Sequence, residues 1–337
     1  MASTRERRPA ASFGALAGLA GLTEEINLRT LSYKEYGDIN VLELGDASRT
    51  EIADDEVLIR VRAASLNPFD WKLRSGSLRE VFELGFPITP GRDGCGEVVR
   101  LGDAVQDSQL EPGQLVSFIS SRLRYGALAE FVAVQARDFV VPVAENLTLE
   151  ESAALPLVGL SAWNALIDTA ELKAGMRVLI HGGSGGVGSA AIQIARHFGA
   201  DIYATCHSAN VERVELQGAQ AIPYDSVDFT TAVTDCDLVF DTVGGQVHED
   251  SYKVLKRGGR LVYLLAMPFN DLSSEYGVSD LQVHVLGETA NLKKLVEFAA
   301  QNLIKPVIGN SLQLAEFKEA FQLAESGKAR GKILLTL

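Results

Sequence analysis

A glycine-rich turn between an apolar strand and an amphipathic helix restricts the fold of this chain more than any other sequence feature. The segment 178–188 reads VLIHGGSGGVG and matches the pattern G-x-G-x-x-G. This pattern needs glycine for a tight turn, for close approach of the backbone to a pyrophosphate, and for packing of the helix on the strand. The start of the helix then offers unpaired N–H groups to phosphates. We therefore predict a dinucleotide site whose turn consists of Gly183, Ser184, Gly185, Gly186, Val187 and Gly188.

The hydrophobic pattern changes near residue 150. Before it, runs such as Glu56–Ala63 alternate apolar and polar residues between Gly and Pro turns, which predicts a mostly antiparallel β domain. After it, continuously apolar runs such as Asp201–Cys206 alternate with helices, which is typical of a parallel sheet buried on both faces. One of these helices is predicted to run to Lys256 and to be closed by Gly258 and Gly259. The 337 residues suffice for about two such domains, so we predict the α/β fold class.

The residues after the second strand of the predicted parallel sheet bear on the choice of cofactor. NAD-specific folds usually present a carboxylate there to the ribose hydroxyls, and the segment 205–210, TCHSAN, contains none. Ser208, Asn210 and Arg213 offer donors to a 2′-phosphate instead, so we predict NADPH as the cofactor. The competing interpretation is that Ser208 and Asn210 only cap the following helix.

Composition excludes several classes of protein. The formal net charge of −13 disfavours general binding to nucleic acids or anionic membranes, which depends on Lys and Arg. The 3 cysteines fit neither a disulfide framework nor a zinc site, so we expect a reducing, cytoplasmic location. No apolar run is long enough to span a membrane. Residues 1–26 are predicted to be a flexible extension, although three arginines before an Ala- and Gly-rich run leave a targeting segment open.

Several motifs together resemble one enzyme family. They are the segments 64–72 (ASLNPFDWK), 90–98 (PGRDGCGEV), 125–132 (YGALAEFV), 153–163 (AALPLVGLSAW) and 327–332 (GKARGK), besides the glycine motif. From about Thr30 to Leu337 the chain resembles the zinc-free, zeta-crystallin-like quinone oxidoreductases of the medium-chain dehydrogenase/reductase superfamily. The resemblance implies a GroES-like β domain at residues 27–150, completed by residues 287–337, and a Rossmann domain with a doubly wound parallel sheet at residues 151–286.

The resemblance also implies cofactor contacts across the chain. Besides the glycine turn and the Ser208 region, these are Asn67, Ser161, Tyr224, Val243, Gly244, Leu264, Leu265 and Met267. The zinc-dependent relatives carry Gly-His-Glu and Cys ligands. This chain has Gly91-Arg92-Asp93 and Asn67 at the corresponding places, so we predict no metal.

The resemblance implies reduction of quinones or of the C=C bond of α,β-unsaturated carbonyl compounds. Without a metal, the negative oxygen formed on hydride transfer needs hydrogen-bond donors. Lys72 is the first candidate, Asn67 is predicted to position the nicotinamide, and Tyr125 is a weaker proton-donor candidate. A surface position for Lys72 stays open. We also predict a homodimer, because Leu281–Leu286 reads as an apolar edge strand.

Two other functions remain open at this stage. The chain could be a catalytically silent NADPH-binding protein of the same fold. It could also be an α/β-hydrolase, because Gly182, Ser184 and Gly186 fit the nucleophile-elbow pattern G-x-S-x-G. His181 is expected to form local hydrogen bonds rather than to act in acid–base chemistry.

Overall fold

The computed structural model describes residues 28–47, 52–105, 110–120, 122–264, 269–283 and 289–337. The extension predicted at residues 1–26 lies outside these ranges. The strands are β1 (Leu28–Ser32), β2 (Glu43–Ala47), β3 (Glu56–Leu66), β4 (Asp93–Leu101), β5 (Leu115–Ile119), β6 (Phe131–Gln135), β7 (Val140–Pro142), β8 (Arg177–Ile180), β9 (Asp201–Cys206), β10 (Gln220–Pro223), β11 (Cys236–Asp241), β12 (Leu255–Tyr263), β13 (Ser279–Gln282), β14 (Ile308–Gln313) and β15 (Lys332–Thr336).

Helices connect most of the strands in the second half of the chain. Along the whole described chain the α-helices are α1 (Pro68–Arg74), α2 (Ala136–Phe139), α3 (Leu149–Ala154), α4 (Pro156–Trp163), α5 (Gly186–His197), α6 (Val211–Gln217), α7 (Phe229–Ala232), α8 (Gln246–Ser251), α9 (Ser273–Tyr276), α10 (Thr289–Ala300) and α11 (Phe317–Glu325). A π-helical segment, Asn164–Thr169, follows α4 directly.

A six-stranded parallel sheet forms the centre of the Rossmann domain. Its strand order is β10-β9-β8-β11-β12-β13, and every pairing is parallel. Val178 and Ile180 of β8 pack into the core cluster that includes α5, whereas Leu179 packs into the cluster on the other face. Apolar residues thus face both sides of the sheet, which explains the unbroken apolar runs in the sequence.

A seven-stranded sheet forms the second domain. Its order is β14-β15-β3-β4-β5-β7, with β6 paired to β3. All pairings are antiparallel except β14 with β15. The two strands from the end of the chain therefore complete the sheet built by the first half. The α/β class and the combination of a GroES-like domain with a Rossmann domain are confirmed, while the domain boundaries stay a prediction.

The structure corrects some predicted elements. The helix expected to run to Lys256 ends at Ser251, and β12 begins at Leu255, so Gly258 and Gly259 lie inside a strand. A short 3-10 turn, Tyr252–Val254, replaces the predicted last turn of the helix. The edge strand predicted at Leu281–Leu286 is β13, which starts two residues earlier, and residues 284–286 lie outside the described ranges. Within those ranges, no helix combines the length and apolar character needed to cross a bilayer.

Candidate active site

The glycine turn between β8 and α5 has the geometry of an anion cradle. A Cβ on Gly188 would lie 2.2 Å from the Gly182 carbonyl oxygen, so packing requires glycine there. A Cβ on Gly185 would have one atom within 4 Å, the Gly182 oxygen at 3.2 Å, so this position is less crowded than Gly188. No side chain caps the start of α5, and its first N–H groups are available to a ligand. The turn therefore fits the pyrophosphate of a dinucleotide.

Donors predicted for a 2′-phosphate gather beside this turn. Arg213 donates from Nη2 to the Ser184 carbonyl at 2.9 Å, and its Nη1 donates to the Arg330 carbonyl. Asn210 donates from Nδ2 to the Ser184 hydroxyl at 3.4 Å. Burial and the neighbouring charge of Arg330 lower the pKa of Arg213. Sequence reasoning placed Ser184, Asn210 and Arg213 here but gave Arg330 no role, because it comes from the far end of the chain.

A carboxylate also lies in this region, contrary to the reasoning from the segment 205–210. Asp225 follows β10 and accepts from the Ser208 N–H at 2.8 Å, so the folded chain presents an acid next to the end of β9. Its hydrogen bonds with Ser208 lower its pKa. The sequence argument considered only the residues directly after β9, whereas parallel strands place the ends of β9 and β10 side by side. Tyr224, which is 60% exposed, adjoins the same strand ends, and its ring contacts that of His207.

The predicted contacts on the next strands lie at the same edge of the sheet. Val243 and Gly244 form the turn after β11, and the side chain of Val243 is 55% exposed. Both backbone N–H groups donate to Asp241 Oδ1, at 2.7 Å and 3.0 Å. Leu264 follows β12 and is partly buried. Leu265 and Met267 lie outside the described residues.

A buried polar cluster around Asn67 faces the glycine turn. Lys332 donates from Nζ to Asn67 Oδ1 at 2.6 Å, and Asn67 Nδ2 donates to Asp93 Oδ1 at 2.9 Å. The second Asp93 oxygen accepts from the Leu157 N–H at 3.0 Å, and Ser65 also bonds to this carboxylate. We call Ser65, Asn67, Asp93 and Lys332 the Asn67 cluster. A Cβ on Gly186 would lie 3.0 Å from Lys332 Cδ, so the cluster touches the start of α5.

Lys332 and Asp93 are the ionisable members of the cluster, and sequence reasoning gave them no role at the site, nor did it give one to Ser65. Both are buried, with exposed fractions of 5% and 0%. Burial lowers the pKa of Lys332, against the opposing charges of Asp93 and Asp70. The sequence offered one signal for Lys332: it lies in an apolar strand at the end of the chain, and a buried lysine is rare without a partner. That signal does not identify the partner, since four elements contribute to the cluster.

Two further ionisable groups lie against the Asn67 cluster. Asp70 is buried and accepts from the Asn67 and Gly91 N–H groups, each at 2.8 Å. Burial raises the pKa of Asp70 to about 6, although these two hydrogen bonds lower it. Arg92 lies over the Phe69 ring at 5.8 Å, and burial lowers its pKa.

The other predicted catalytic residues occupy different surroundings. Lys72 is partly buried on α1, and within the described part of the chain its ammonium has no hydrogen-bond or ion-pair partner. Tyr125 is 36% exposed, and Arg124 lies over its ring at 5.4 Å. Ser161 is buried on α4 and donates to the Leu157 carbonyl at 2.7 Å. Asn67 and Ser161 thus belong to elements that meet at Asp93 and Leu157, whereas no contact joins Lys72 to Tyr125.

Metal and nucleophile chemistry have little support in the geometry. Among the described residues, no three His, Cys, Asp or Glu side chains gather as they would around a metal ion. The absence of a functional metal stays a prediction. Ser184 has Asn210 as its side-chain partner, and His181 instead contacts Thr205 at 3.1 Å and Ser251 at 2.9 Å. These contacts confirm the local role of His181, and within the described ranges no basic side chain bonds to the Ser184 hydroxyl as a hydrolase would need.

Comparison with known proteins agrees with this arrangement. Residues 53–145 match the family described as alcohol dehydrogenase GroES-like domain, and residues 217–335 match the one described as zinc-binding dehydrogenase. The chain is 33% identical to 2-methylene-furan-3-one reductase of Solanum lycopersicum over 91% of this chain and 79% of that protein. It is 32% identical to the chloroplastic NADPH-dependent alkenal/one oxidoreductase of Arabidopsis thaliana over 90% and 78%.

A solved structure extends the comparison to the whole fold. The quinone oxidoreductase from Coxiella burnetii superposes with a TM-score of 0.86 at 31% identity, covering 93% of this chain and 100% of that one. The similarity of the fold therefore extends over both sheets. The chain belongs to the quinone oxidoreductase family of the medium-chain dehydrogenase/reductase superfamily.

Proposed function

We propose that this protein is an NADPH-dependent reductase that transfers hydride to quinones or to the C=C bond of α,β-unsaturated carbonyl compounds. The observation that carries the proposal is the close approach of the Lys332 stem to Gly186, where an added Cβ would lie 3.0 Å from Lys332 Cδ. It joins a dinucleotide cradle to the Asn67 cluster. The names of the relatives, an alkenal/one oxidoreductase and a quinone oxidoreductase, support the same two substrate classes.

The residues of the chain bind and orient the reactants. When bound, NADPH supplies the hydride. The glycine turn and the first N–H groups of α5 hold the pyrophosphate. Asn67 Oδ1 accepts from Lys332 and keeps a second lone pair, which can accept from the nicotinamide carboxamide. Because Asn67 Nδ2 is held by Asp93, the amide has one orientation, and the position of the nicotinamide follows from it.

Lys72 is the residue that we propose to stabilise the negative charge on the substrate oxygen. Its ammonium is partly buried and has no partner within the described residues, so it is available as a donor. The substitution Lys72→Met keeps most of the stem and removes the charge. A transition-state donor lost in this way lowers kcat and kcat/KM together by about 100-fold, with NADPH affinity unchanged.

Lys318→Met is a matched control, because Lys318 is exposed on α11. Steady-state rates with a quinone and with an enone, together with an NADPH titration, provide the comparison. Equal kcat in the Lys72→Met protein and the wild type would remove Lys72 from the reaction. Tyr125 is the alternative proton donor, and Tyr125→Phe in the same assays tests that role.

Cofactor preference depends on the cationic group beside the glycine turn. Arg213, Asn210 and Ser208 are proposed to bind the 2′-phosphate, with Arg330 as a second nearby charge. Asp225 opposes this preference, since a carboxylate repels phosphate and attracts ribose hydroxyls. We expect the attraction of the 2′-phosphate by the two arginines to exceed its repulsion by Asp225, because each charge-assisted hydrogen bond contributes about 1.5 to 3 kcal/mol.

A substrate panel tests the function as a whole. NADPH consumption is measured with a simple quinone, a 2-alkenal and an enone, each with NADH in parallel. Turnover of at least one class with NADPH is the expected result. Tight NADPH binding without turnover of any of them would instead identify a catalytically silent binding protein. Turnover that requires zinc and stops with a chelator would contradict the predicted independence of metal.

Assembly and location are also proposals. We propose a homodimer formed through β13, the last strand of the parallel sheet, because an unpaired edge tends to pair with another edge. Light scattering at micromolar concentration tests it, and a monomer would contradict it. A cytoplasmic location is favoured by three buried free cysteines, which suit a reducing compartment. Imaging of a full-length fusion against one lacking residues 1–26 distinguishes it from organelle import.

A further inference from the structure

A second buried polar cluster lies below the turn that follows β11. Its members are Asp241 at the end of β11, His248 on α8, Tyr252 just after α8, and Asp280 on β13. His248 is fully buried and places Nδ1 3.0 Å from Asp241 Oδ2, while its Nε2 lies 3.5 Å from Asp280 Oδ2. The imidazole therefore lies between two carboxylates that belong to different strands of the parallel sheet.

Asp241 connects this cluster to the proposed cofactor turn. Its Oδ1 accepts the N–H groups of both Val243 and Gly244, and its Oδ2 contacts His248. The position of one carboxylate thus helps to set the conformation of the turn. Gly244, with φ of +86°, and Gly245, with φ of +62°, adopt backbone angles that glycine allows. Two further hydrogen bonds hold the turn: the Thr242 hydroxyl donates to the His181 carbonyl at 2.7 Å, and the Gly245 carbonyl accepts from the His248 N–H at 3.0 Å.

The surroundings of His248 favour its protonated form. Burial alone lowers its pKa, but the hydrogen bonds and charges of Asp241 and Asp280 raise the pKa to about 9. Tyr252 donates to Asp280 Oδ2 at 2.7 Å, while Asp280 Oδ1 is buried with no hydrogen-bond partner in the described structure. Loss of the His248 proton would leave two buried carboxylates without a cation between them, which is unfavourable where water is excluded.

Other titratable groups face His248 from the neighbouring elements. Tyr263 on β12 lies with its ring centroid 4.9 Å from that of His248, and burial raises its pKa. The charge of His248 helps to lower the pKa of Asp271, after the hydrogen bonds of Asp271 with Ser273. His181 stays neutral at physiological pH, since burial lowers its pKa to about 4. The Phe269 ring covers His248 at 3.9 Å between centroids. His248 is therefore the group in this cluster that titrates near pH 9.

We propose that protonated His248 is a positioning residue for the cofactor: it holds Asp241 in the orientation that shapes the Val243–Gly244 turn, and NADPH binding weakens when His248 loses its proton. This inference rests on the proposed binding of NADPH against that turn. It also assigns Asp280 a role, because this carboxylate on the edge strand helps to keep the proton on His248. The predicted consequence is that cofactor affinity depends on pH through His248 and not through the residues that bind the phosphates.

The first measurement uses the protein without cofactor. The chain has 5 histidines, and the NMR titration of His248 is assigned by its absence in the His248→Gln protein. We expect a midpoint near 9 for His248. In the Asp280→Asn protein, which lacks one of the two negative charges, the midpoint should fall by about 1 pH unit or more. A His248 midpoint at the ordinary imidazole value in the wild type would overturn the inference.

The second measurement is the Kd for NADPH at pH values on either side of 9. Wild-type affinity should fall by about tenfold as His248 deprotonates, in line with the loss of a charge-assisted hydrogen bond. The His248→Gln protein should bind weakly at every pH and lack this step. His197→Gln is the matched control, since His197 is exposed at the end of α5, and it should keep the wild-type profile.

The variants distinguish this inference from the proposed function. No NADPH binding at any pH would contradict the proposed function, whereas tight binding without the step would overturn only the role of His248. If His248→Gln does not fold, the Asp280→Asn protein provides the test. In it, the pH at which the Kd for NADPH changes must shift together with the NMR midpoint of His248. A step that stays in place while the midpoint moves would overturn the inference.

Discussion

The glycine turn and the Asn67 cluster meet at the start of α5, yet they are built in different ways. The turn consists of consecutive residues from Gly182 to Gly188, and backbone geometry defines it. The Asn67 cluster brings together side chains from β3, the start of α1, β4 and β15, and Asn67 and Lys332 are 265 positions apart. A cradle for an anion requires little more than a local conformation, whereas an orienting amide requires partners from several elements.

The largest expected effect concerns the Asn67 cluster. Lys332→Met should lower the free energy of unfolding by about 3 to 5 kcal/mol, because it leaves two buried acceptors, Asn67 Oδ1 and the Leu66 carbonyl, without their charged donor. NADPH affinity should fall as well, since Asn67 Oδ1 loses its donor. Denaturant unfolding and an NADPH titration measure the two effects. Lys328→Met, an exposed change four residues earlier, is the control, and equal stability of both variants would contradict the importance of the cluster.

The corresponding change in the glycine turn is Gly188→Ala. The new Cβ would lie 2.2 Å from the Gly182 oxygen, so backbone must move. We expect NADPH binding to weaken by about 3 kcal/mol, which corresponds to a ~100-fold higher Kd. Gly45→Ala serves as the control, because nothing lies within 4 Å of a Cβ there. If NADPH binds equally well to the Gly188→Ala protein, the turn is not the pyrophosphate site.

Acid should affect the two regions in opposite directions. At the base of the glycine turn, burial lowers the pKa of His181 to about 4 from the model-compound value of 6.5. Folding stability from this group is present above pH 6.5 and is lost as the pH falls through 4. Beside the Asn67 cluster, the pKa of Asp70 is raised to about 6 from 3.8, so its contribution is present below pH 3.8 and is lost as the pH rises through 6. Each contribution amounts to about 3 kcal/mol.

The His181→Gln variant separates these two contributions. It should lack the fall in stability between pH 6.5 and 4, so its free energy of unfolding, relative to the wild type, should increase by about 3 kcal/mol on acidification. Urea unfolding across this pH range provides the measurement. Parallel pH profiles of the two proteins would show that His181 does not titrate as described.

The smallest expected effect concerns the preference between cofactors. Arg213→Gln should raise the KM for NADPH by about tenfold and leave that for NADH nearly unchanged, since only NADPH carries the 2′-phosphate. Asp225→Asn should instead lower the KM for NADPH relative to that for NADH, because it removes the carboxylate that repels the 2′-phosphate. Initial rates with both cofactors give the ratio. An Arg213→Gln protein that loses affinity for both equally would indicate a purely structural role, through Ser184 and Arg330.

Several features followed from short stretches of sequence. The strand–turn–helix around the glycine motif, the bounds of β9, and the change from alternating to continuous apolar runs all depend on neighbouring residues. The predicted helix up to Lys256 failed because Gly258 and Gly259 were interpreted as a helix stop, whereas they lie within β12, between Leu255 and Arg260, which both pair with β11. Local signals at glycine do not distinguish these outcomes when strand pairing supplies the stabilising contacts.

Local sequence patterns thus defined the cradle for the dinucleotide, because φ and ψ preferences and apolar periodicity act over a few residues. Pairing of Lys332 with Asn67, of His248 with Asp241 and Asp280, and of Ser208 with Asp225 came only from the folded chain. These groups are distant in sequence, and no spacing rule relates them. Burial makes the first two pairings necessary, because a polar or charged group removed from water must find a partner wherever the sheets place one. Ser208 and Asp225 are exposed, and they meet because the ends of β9 and β10 lie side by side.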